Sequence, residues 1–157
     1  MYVWVEMTDR TPDSQLQDKA ALRWSRLEDE RGACVVVSDR MELVYMNAAA
    51  LELVEGAWFG KRCFEVLPVV DEACAFHCQK IRAVNESGDV VYCEETVVGS
   101  SGPKVFGVGL IPLSPSSDDH ARAVLLLRVR EESIDDSAFR ALLLTDAKSL
   151  ARRITAP

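Results

Sequence analysis

The sequence predicts an α+β fold, in which a five-stranded antiparallel sheet packs against helices. Three observations support this class. The predicted elements run as two strands, small helices, a longer helix and three strands, with a helix at each end of the chain. Short turn sequences separate consecutive strands, and short connections favour antiparallel pairing. A chain of 157 residues, 48% of them hydrophobic, suffices for one domain of ~100 to 150 residues with a short extension at each end.

The first element is an amphipathic helix predicted to end near Leu27. Thr11 can cap its first turn, and Pro12 suits the first helical position because its missing N–H is not needed there. Gly32 supplies a stop signal. The apolar positions recur at helical spacing, at Leu16, Ala20, Trp24 and Leu27. This helix therefore needs a surface on which to pack.

The next elements form a hairpin. Residues 33–37 are an apolar run typical of a buried strand, residues 38–40 form a turn, and residues 42–46 are the partner strand. Asn47 is expected to cap a short helix over residues 48–54. The hairpin therefore leads directly into the helical part of the fold.

Mixed signals over residues 57–73 indicate irregular turns or short helices, and a firmer helix is predicted over residues 74–84. Three strands follow, over residues 90–98, 104–113 and 122–130. The last element is a helix over residues 133–154. Its apolar stripe consists of Phe139, Leu143, Ala147, Leu150 and Ile154.

The pattern of the last strand indicates that both faces of the sheet are covered. Residues 122–130 carry apolar side chains on both faces, whereas a one-sided sheet would alternate apolar with polar residues. We expect the N-terminal helix of this chain or of a partner to be the cover. Gly107 and Gly109 alternate along one face and expose backbone there, which admits a ligand or, more commonly, a tightly packed side chain.

Composition excludes several classes of function. The 25 acidic residues exceed the 18 basic ones, and this net charge of -7 argues against nucleic-acid binding. No apolar run approaches the ~18 residues of a membrane span, and residues 1–10 lack a secretory signal pattern. We therefore expect a cytosolic protein without a membrane partner. With two histidines and no recognisable set of acid, base and nucleophile, the sequence does not predict an enzyme.

Two segments resemble the PAS domain family. Residues 33–50, ACVVVSDRMELVYMNAAA, are similar to the PAS opening, in which strand, acidic turn and second strand end at a helix-capping Asn, here Asn47. Residues 60–68, GKRCFEVLP, are similar to the PAS segment in which a Gly precedes a short apolar helix. The resemblance covers roughly residues 30 to 131.

The resemblance implies a sensory or protein-interaction module. It places an N-terminal extension and helix at residues 1–32, the PAS-like domain at residues 33–131 and a C-terminal helix at residues 132–157. A pocket between the helices and the inner sheet face would hold a ligand or cofactor. Signals would leave through the flanking helices to a downstream signalling protein. Catalysis is not implied.

The cysteines are the candidate sensor chemistry. An odd count of five argues against a disulfide framework. Cys74 and Cys78 lie one helical turn apart and project from one face, which His77 borders. A fourth metal ligand could also come from Cys34 on the first strand. The candidate metal ligands are Cys63, Cys74, Cys78, His77 and Cys93.

Several interpretations of these thiols stay open. Some PAS domains bind iron–sulphur clusters, and soft thiolates suit such a cluster first and zinc second. Buried core cysteines in a cofactor-free dimerisation module, or thiols that oxidise reversibly, are the alternatives. Cys63 follows Gly60 by three positions, as in light-sensing flavin PAS domains. Arg62 and residues 64–67, FEVL, depart from the flavin-contacting pattern, so flavin is not expected.

The two apolar helical stripes also predict self-association. Each is too long and too apolar to remain solvated. We expect a homodimer formed through the N-terminal helix, including Trp24 and Leu27, and the outer face of the sheet.

Overall fold

The computed structural model describes residues 12–54, 56–66, 86–99, 102–114, 120–130 and 133–155. The helix expected over residues 74–84 lies outside these ranges. Within them, no helix combines the length and the hydropathy that crossing a membrane requires.

The five strands form one antiparallel sheet, as the sequence predicts. The strands are β1 (Ala33–Ser38), β2 (Leu43–Met46), β3 (Val91–Gly99), β4 (Gly102–Pro112) and β5 (Ala121–Val129). Their spatial order is β2-β1-β5-β4-β3, so the first hairpin joins the last three strands through β1 and β5. Cys34 lies opposite Leu126 in the β1–β5 register, and Cys93 lies opposite Val108 in the β3–β4 register.

Four α-helices and one 3-10 helix accompany the sheet within the described residues. The α-helices are α1 (Pro12–Arg23), α2 (Ala48–Leu51), α3 (Cys63–Val66) and α4 (Asp136–Thr155), and the 3-10 helix is Ser25–Asp29.

The N-terminal helix is shorter than the sequence predicts. It ends at Arg23, and the chain tightens into the 3-10 helix, where the Leu27 N–H donates to the Trp24 carbonyl at 2.9 Å. Trp24 and Leu27 remain buried, whereas Leu16 is 36% exposed and so contributes little to the packed stripe. The spacing of three between Trp24 and Leu27 fits the three-residue turn of a 3-10 helix as well as an α-helix.

Strand alternation divides the buried side chains into an inner and an outer cluster. The inner cluster has α2 and Cys63 on one side and sheet side chains such as Val35, Val108 and Leu125 on the other. The outer cluster joins sheet residues such as Val36 and Leu126 to the flanking helices. Both faces of the sheet are therefore covered, as the two-sided pattern of β5 predicts.

Two glycines allow α4 to lie close to the outer face. A Cβ at Gly107 would stand 2.5 Å from Phe139 Cε1, and one at Gly109 would stand 2.9 Å from Ala147 Cβ. Tight packing, and not a ligand, is thus the reason for the exposed backbone of β4.

The expected dimer interface is not available in this arrangement. Trp24 and Leu27 are 4% and 0% exposed, because they pack on the sheet of their own chain. The C-terminal stripe packs there too, with Phe139, Leu143, Ala147 and Leu150 buried. Because these apolar stripes are already buried within their own chain, they provide no driving force for association. A homodimer stays a prediction, but not one formed through this interface.

Candidate functional site on the inner face of the sheet

The inner face is apolar and contains two thiols. Its described lining includes Met46, Phe106 and Leu110, together with Cys63 and Cys93. In the part of the chain that the structure describes, the buried polar side chains are Ser38 and Asn47, and both bind backbone groups. The described face thus presents no buried charge, which suits an apolar ligand or one held by sulfur.

Backbone hydrogen bonds along β2 position Cys63. Leu43 N–H donates to the Lys61 carbonyl at 2.7 Å, and Gly60 N–H donates to the Leu43 carbonyl at 2.9 Å. The Cys63 N–H then donates to the Met41 carbonyl at 2.8 Å. These bonds hold the segment against the sheet edge, so the Cys63 thiol points into the core and is 2% exposed.

Cys93 reaches the same cluster from β3. It is 7% exposed and is a thiol, as are Cys34 and Cys63. Two of the five predicted ligands thus face the inner cluster, but from opposite edges of the sheet, because Cys63 lies beside β2 and Cys93 lies on β3, with β1, β5 and β4 between them. Cys74, His77 and Cys78 lie outside the described residues. Among the residues that are described, no group of three His, Cys, Asp or Glu side chains could hold a metal ion.

Cys34 cannot supply the fourth ligand that the sequence left open. Its side chain belongs to the outer cluster, so the sheet separates it from Cys63 and Cys93. Burial raises the pKa of the Cys34 thiol to about 12, and the nearby carboxylate of Glu30 adds to this shift. The thiol is therefore protonated and enclosed, which is the behaviour of a core residue.

Asn47 connects the two sides of the fold through one buried amide. Its Oδ1 accepts from Ala50 N–H at 3.0 Å, which caps α2, and from Cys34 N–H at 2.9 Å. Its Nδ2 donates to the Leu27 carbonyl at 2.9 Å and to the Gly32 carbonyl at 3.1 Å. The sequence predicted only the cap, because the other partners depend on where the N-terminal segment packs.

Glu28 makes a second connection from the 3-10 helix. Its carboxylate accepts from the Tyr45 hydroxyl on β2 and from Ala48 N–H at the start of α2. Burial, and then the hydrogen bond to Glu28, raise the pKa of Tyr45. Sequence reasoning missed this pair, since no local pattern indicates that Glu28 packs beside Tyr45, 17 residues further along the chain.

The two flanks of the sheet, which are residues 12–32 before β1 and the helix α4, also contact each other. Arg26 donates to the Arg153 carbonyl at 3.0 Å, and the Arg153 guanidinium pairs with Glu30. The α4 helix is also tied to β5 and the residue after it by an Arg128–Asp146 ion pair at its middle and an Arg130–Asp136 ion pair at its first residue. The N-terminal segment and α4 thus form one connected layer on the outer face.

Comparison with known proteins shows the fold. No family model and no curated protein matches the chain. Among solved structures, the Rhodobacter sphaeroides LOV protein has a TM-score of 0.61 at 16% identity, over 89% of this chain and 81% of that one. A PAS domain from a two-component sensor histidine kinase has a TM-score of 0.51 at 17% identity, over 74% and 99%. The chain therefore has the PAS fold that residues 33–50 and 60–68 indicated.

The Vibrio cholerae VqmA dimer is also similar, with a TM-score of 0.58 at 19% identity over 71% of this chain. The chain spans only 53% of that VqmA chain, and 58% of VqmA bound to DPO. Another VqmA structure is a complex with a ligand and DNA. Because a PAS-like structure thus occurs in a DNA complex, the comparisons do not support the exclusion of nucleic acid that the net charge suggested.

Proposed function

We propose that this chain is a sensory PAS domain that detects a ligand or redox state on the inner face of its sheet. A change in occupancy or oxidation state at the inner face is transmitted to a protein partner through the layer formed by the N-terminal segment and α4. The chain itself performs no catalysis. The observation that carries this proposal is the division of the molecule into an inner face with two thiols and an outer face covered by joined flanks.

We further propose that the sensor chemistry uses the inner thiols. Cys63 faces the inner cluster, and Cys74, Cys78 and His77 complete the proposed ligand set; Cys93, which faces the same cluster from the opposite edge of the sheet, is the alternative fourth ligand. Thiolates are the usual ligands of an iron–sulphur cluster, with zinc as the second choice. Such a cluster supplies one-electron redox chemistry when bound. The protein's part is to hold the sulfurs in an apolar, water-excluding surround, which tunes the potential and excludes other ligands.

Cys34 gives the experiment an internal control. Anaerobically purified wild type is analysed for iron, zinc and acid-labile sulphide, together with the variants Cys63→Ser, Cys93→Ser and Cys34→Ser. We expect stoichiometric metal in wild type and in Cys34→Ser and loss of metal in Cys63→Ser, whereas loss of metal in Cys93→Ser as well would identify Cys93 as the fourth ligand. Absence of stoichiometric metal from wild type would rule out the metal site.

Without metal, reversible thiol oxidation is the remaining redox mechanism. It predicts that mild oxidant lowers the number of thiols titrated in denaturant, and that reductant restores it. Constant thiol numbers together with no retained small molecule would favour the cofactor-free dimerisation module with buried structural cysteines.

A further inference from the structure

We infer that Asn47 couples the inner face to the flanking layer and so acts as the positioning residue between sensor site and output. This goes beyond its role as a helix cap. This inference rests on the proposed function only for what is sensed at the inner face, because the hydrogen bonds of Asn47 are themselves present in the structure.

The inner end of this connection is Ala50. Its side chain is fully buried in the inner cluster, and its N–H donates to Asn47 Oδ1. A displacement of α2 by an occupant of the inner face therefore moves the hydrogen-bond donor that Oδ1 accepts. The amide is planar and rigid, so a tilt of Oδ1 also tilts Nδ2.

The outer end is the backbone that leads into the sheet. Nδ2 donates to the Leu27 and Gly32 carbonyls, and the Leu27 side chain is fully buried in the outer cluster. Glu30 lies between Leu27 and Gly32 in the sequence, and its carboxylate pairs with Arg153 of α4. A change at Asn47 thus reaches both flanks without passing through the strands.

The four partners of Asn47 leave no spare capacity in its amide. An amide nitrogen has two donors and both are used, and the oxygen accepts twice. Asn47→Asp keeps an acceptor for Ala50 and Cys34 but sets a carboxylate oxygen against two carbonyl oxygens. It therefore cuts the outer half of the connection and retains the inner half.

The test compares hydrogen exchange of the flank in two backgrounds. Ala50→Gly loosens α2 by about fivefold, the preference of a helix for alanine over glycine expressed as an equilibrium constant. The readout is the ratio of the exchange rate of residues 25–31 in each variant to that in wild type, measured under native conditions in which these amides exchange through local opening. The rate of exchange through local opening does not depend on global stability.

With Asn47 present, we expect Ala50→Gly to raise the ratio by up to about fivefold. In the Asn47→Asp background the ratio starts higher, and Ala50→Gly adds nothing. Val108→Ala, a substitution in the same inner cluster but on β4, serves as the control and should leave the ratio unchanged in both backgrounds. A merely structural role for Asn47 predicts the same response to Ala50→Gly with and without it.

Equal responses in the two backgrounds, or no response in wild type, would overturn the inference. If Asn47→Asp does not fold, Asn47→Ser replaces it, because serine keeps an acceptor but cannot span to both carbonyls. The experiment uses no ligand or metal. Its failure is therefore distinct from failure of the proposed function, which the metal, sulphide and thiol analyses decide.

Discussion

Replacing Gly109 by alanine tests how closely α4 lies on the sheet. The new Cβ would stand 2.9 Å from Ala147 Cβ, whereas carbon atoms in ordinary contact are ~3.5–4.0 Å apart. Ala147 is fully buried, and its Cβ is fixed to the helix backbone. The contact can therefore be relieved only if α4 moves away from β4. At Gly107 the atoms met are the tips of Phe139 and Leu143, which can rotate, so the same replacement there should cost less.

The expected destabilisation follows from two opposing effects. Overpacking a buried site typically costs about 1–3 kcal/mol. Replacing glycine by alanine also restricts the unfolded chain and restores about 0.4–1 kcal/mol, because Gly109 is not among the residues with positive φ. We therefore expect Gly109→Ala to lower the free energy of unfolding by about 1–2 kcal/mol.

Urea unfolding followed by far-ultraviolet circular dichroism measures this loss, and the reciprocal substitution supplies the control. Ala147→Gly alone should cost about 1 kcal/mol through helix propensity. In the double variant the strand carries the methyl group that the helix has lost. The double variant should then be about 1 kcal/mol more stable than the sum of the single changes predicts. Stability of Gly109→Ala equal to wild type, or strict additivity, would refute the close packing of α4.

Three further predictions concern the outer face of the sheet and the segments that cover it. Burial raises the pKa of Cys34 to about 12, so the contribution of its protonated thiol to the free energy of unfolding is complete below the unfolded-state value of 9.0 and is lost as the pH rises towards 12. Alkylation at pH 8 should label Cys34 only after unfolding, and labelling of the native protein would contradict its burial. Tyr45→Phe should cost about 1–3 kcal/mol in thermal or urea unfolding because it removes the hydrogen bond to Glu28, and it should cost little in a Glu28→Ala background. Arg153→Gln should cost only about 0.2–1 kcal/mol, since its side chain is 56% exposed, and this loss should shrink at high salt; a salt-independent loss would show that the pair with Glu30 is not responsible.

Much of the fold follows from local patterns in the sequence. The two-sided apolar pattern of β5 predicted a covered outer face, and Gly107 and Gly109 predicted close packing on β4. The predicted end of α1 was wrong, because the spacing of Trp24 and Leu27 suits an α-helix and a 3-10 helix alike and so does not mark where one changes into the other. Local spacing does not record that change.

The site was less predictable because it depends on which segments meet. Alternation alone places Cys34 on one face of its strand, but only the pairing with β5 shows that this is the outer face. Likewise, the cap at Asn47 is local, whereas its bonds to Leu27 and Gly32 require the N-terminal segment to pack beside β1. The predicted dimer interface failed for the same reason, because the sequence does not distinguish a chain's own cover from a partner's.

Native mass spectrometry of anaerobically purified protein, recorded together with its absorption spectrum, tests the sensor proposal most directly. We expect a mass above that of the polypeptide by one retained group per chain. That group should be absent from Cys63→Ser and retained in Cys34→Ser, because only Cys63 of the two faces the inner cluster. A colourless protein at the bare polypeptide mass, with thiols that do not respond to oxidant, would contradict the proposal that this PAS domain senses through its inner thiols.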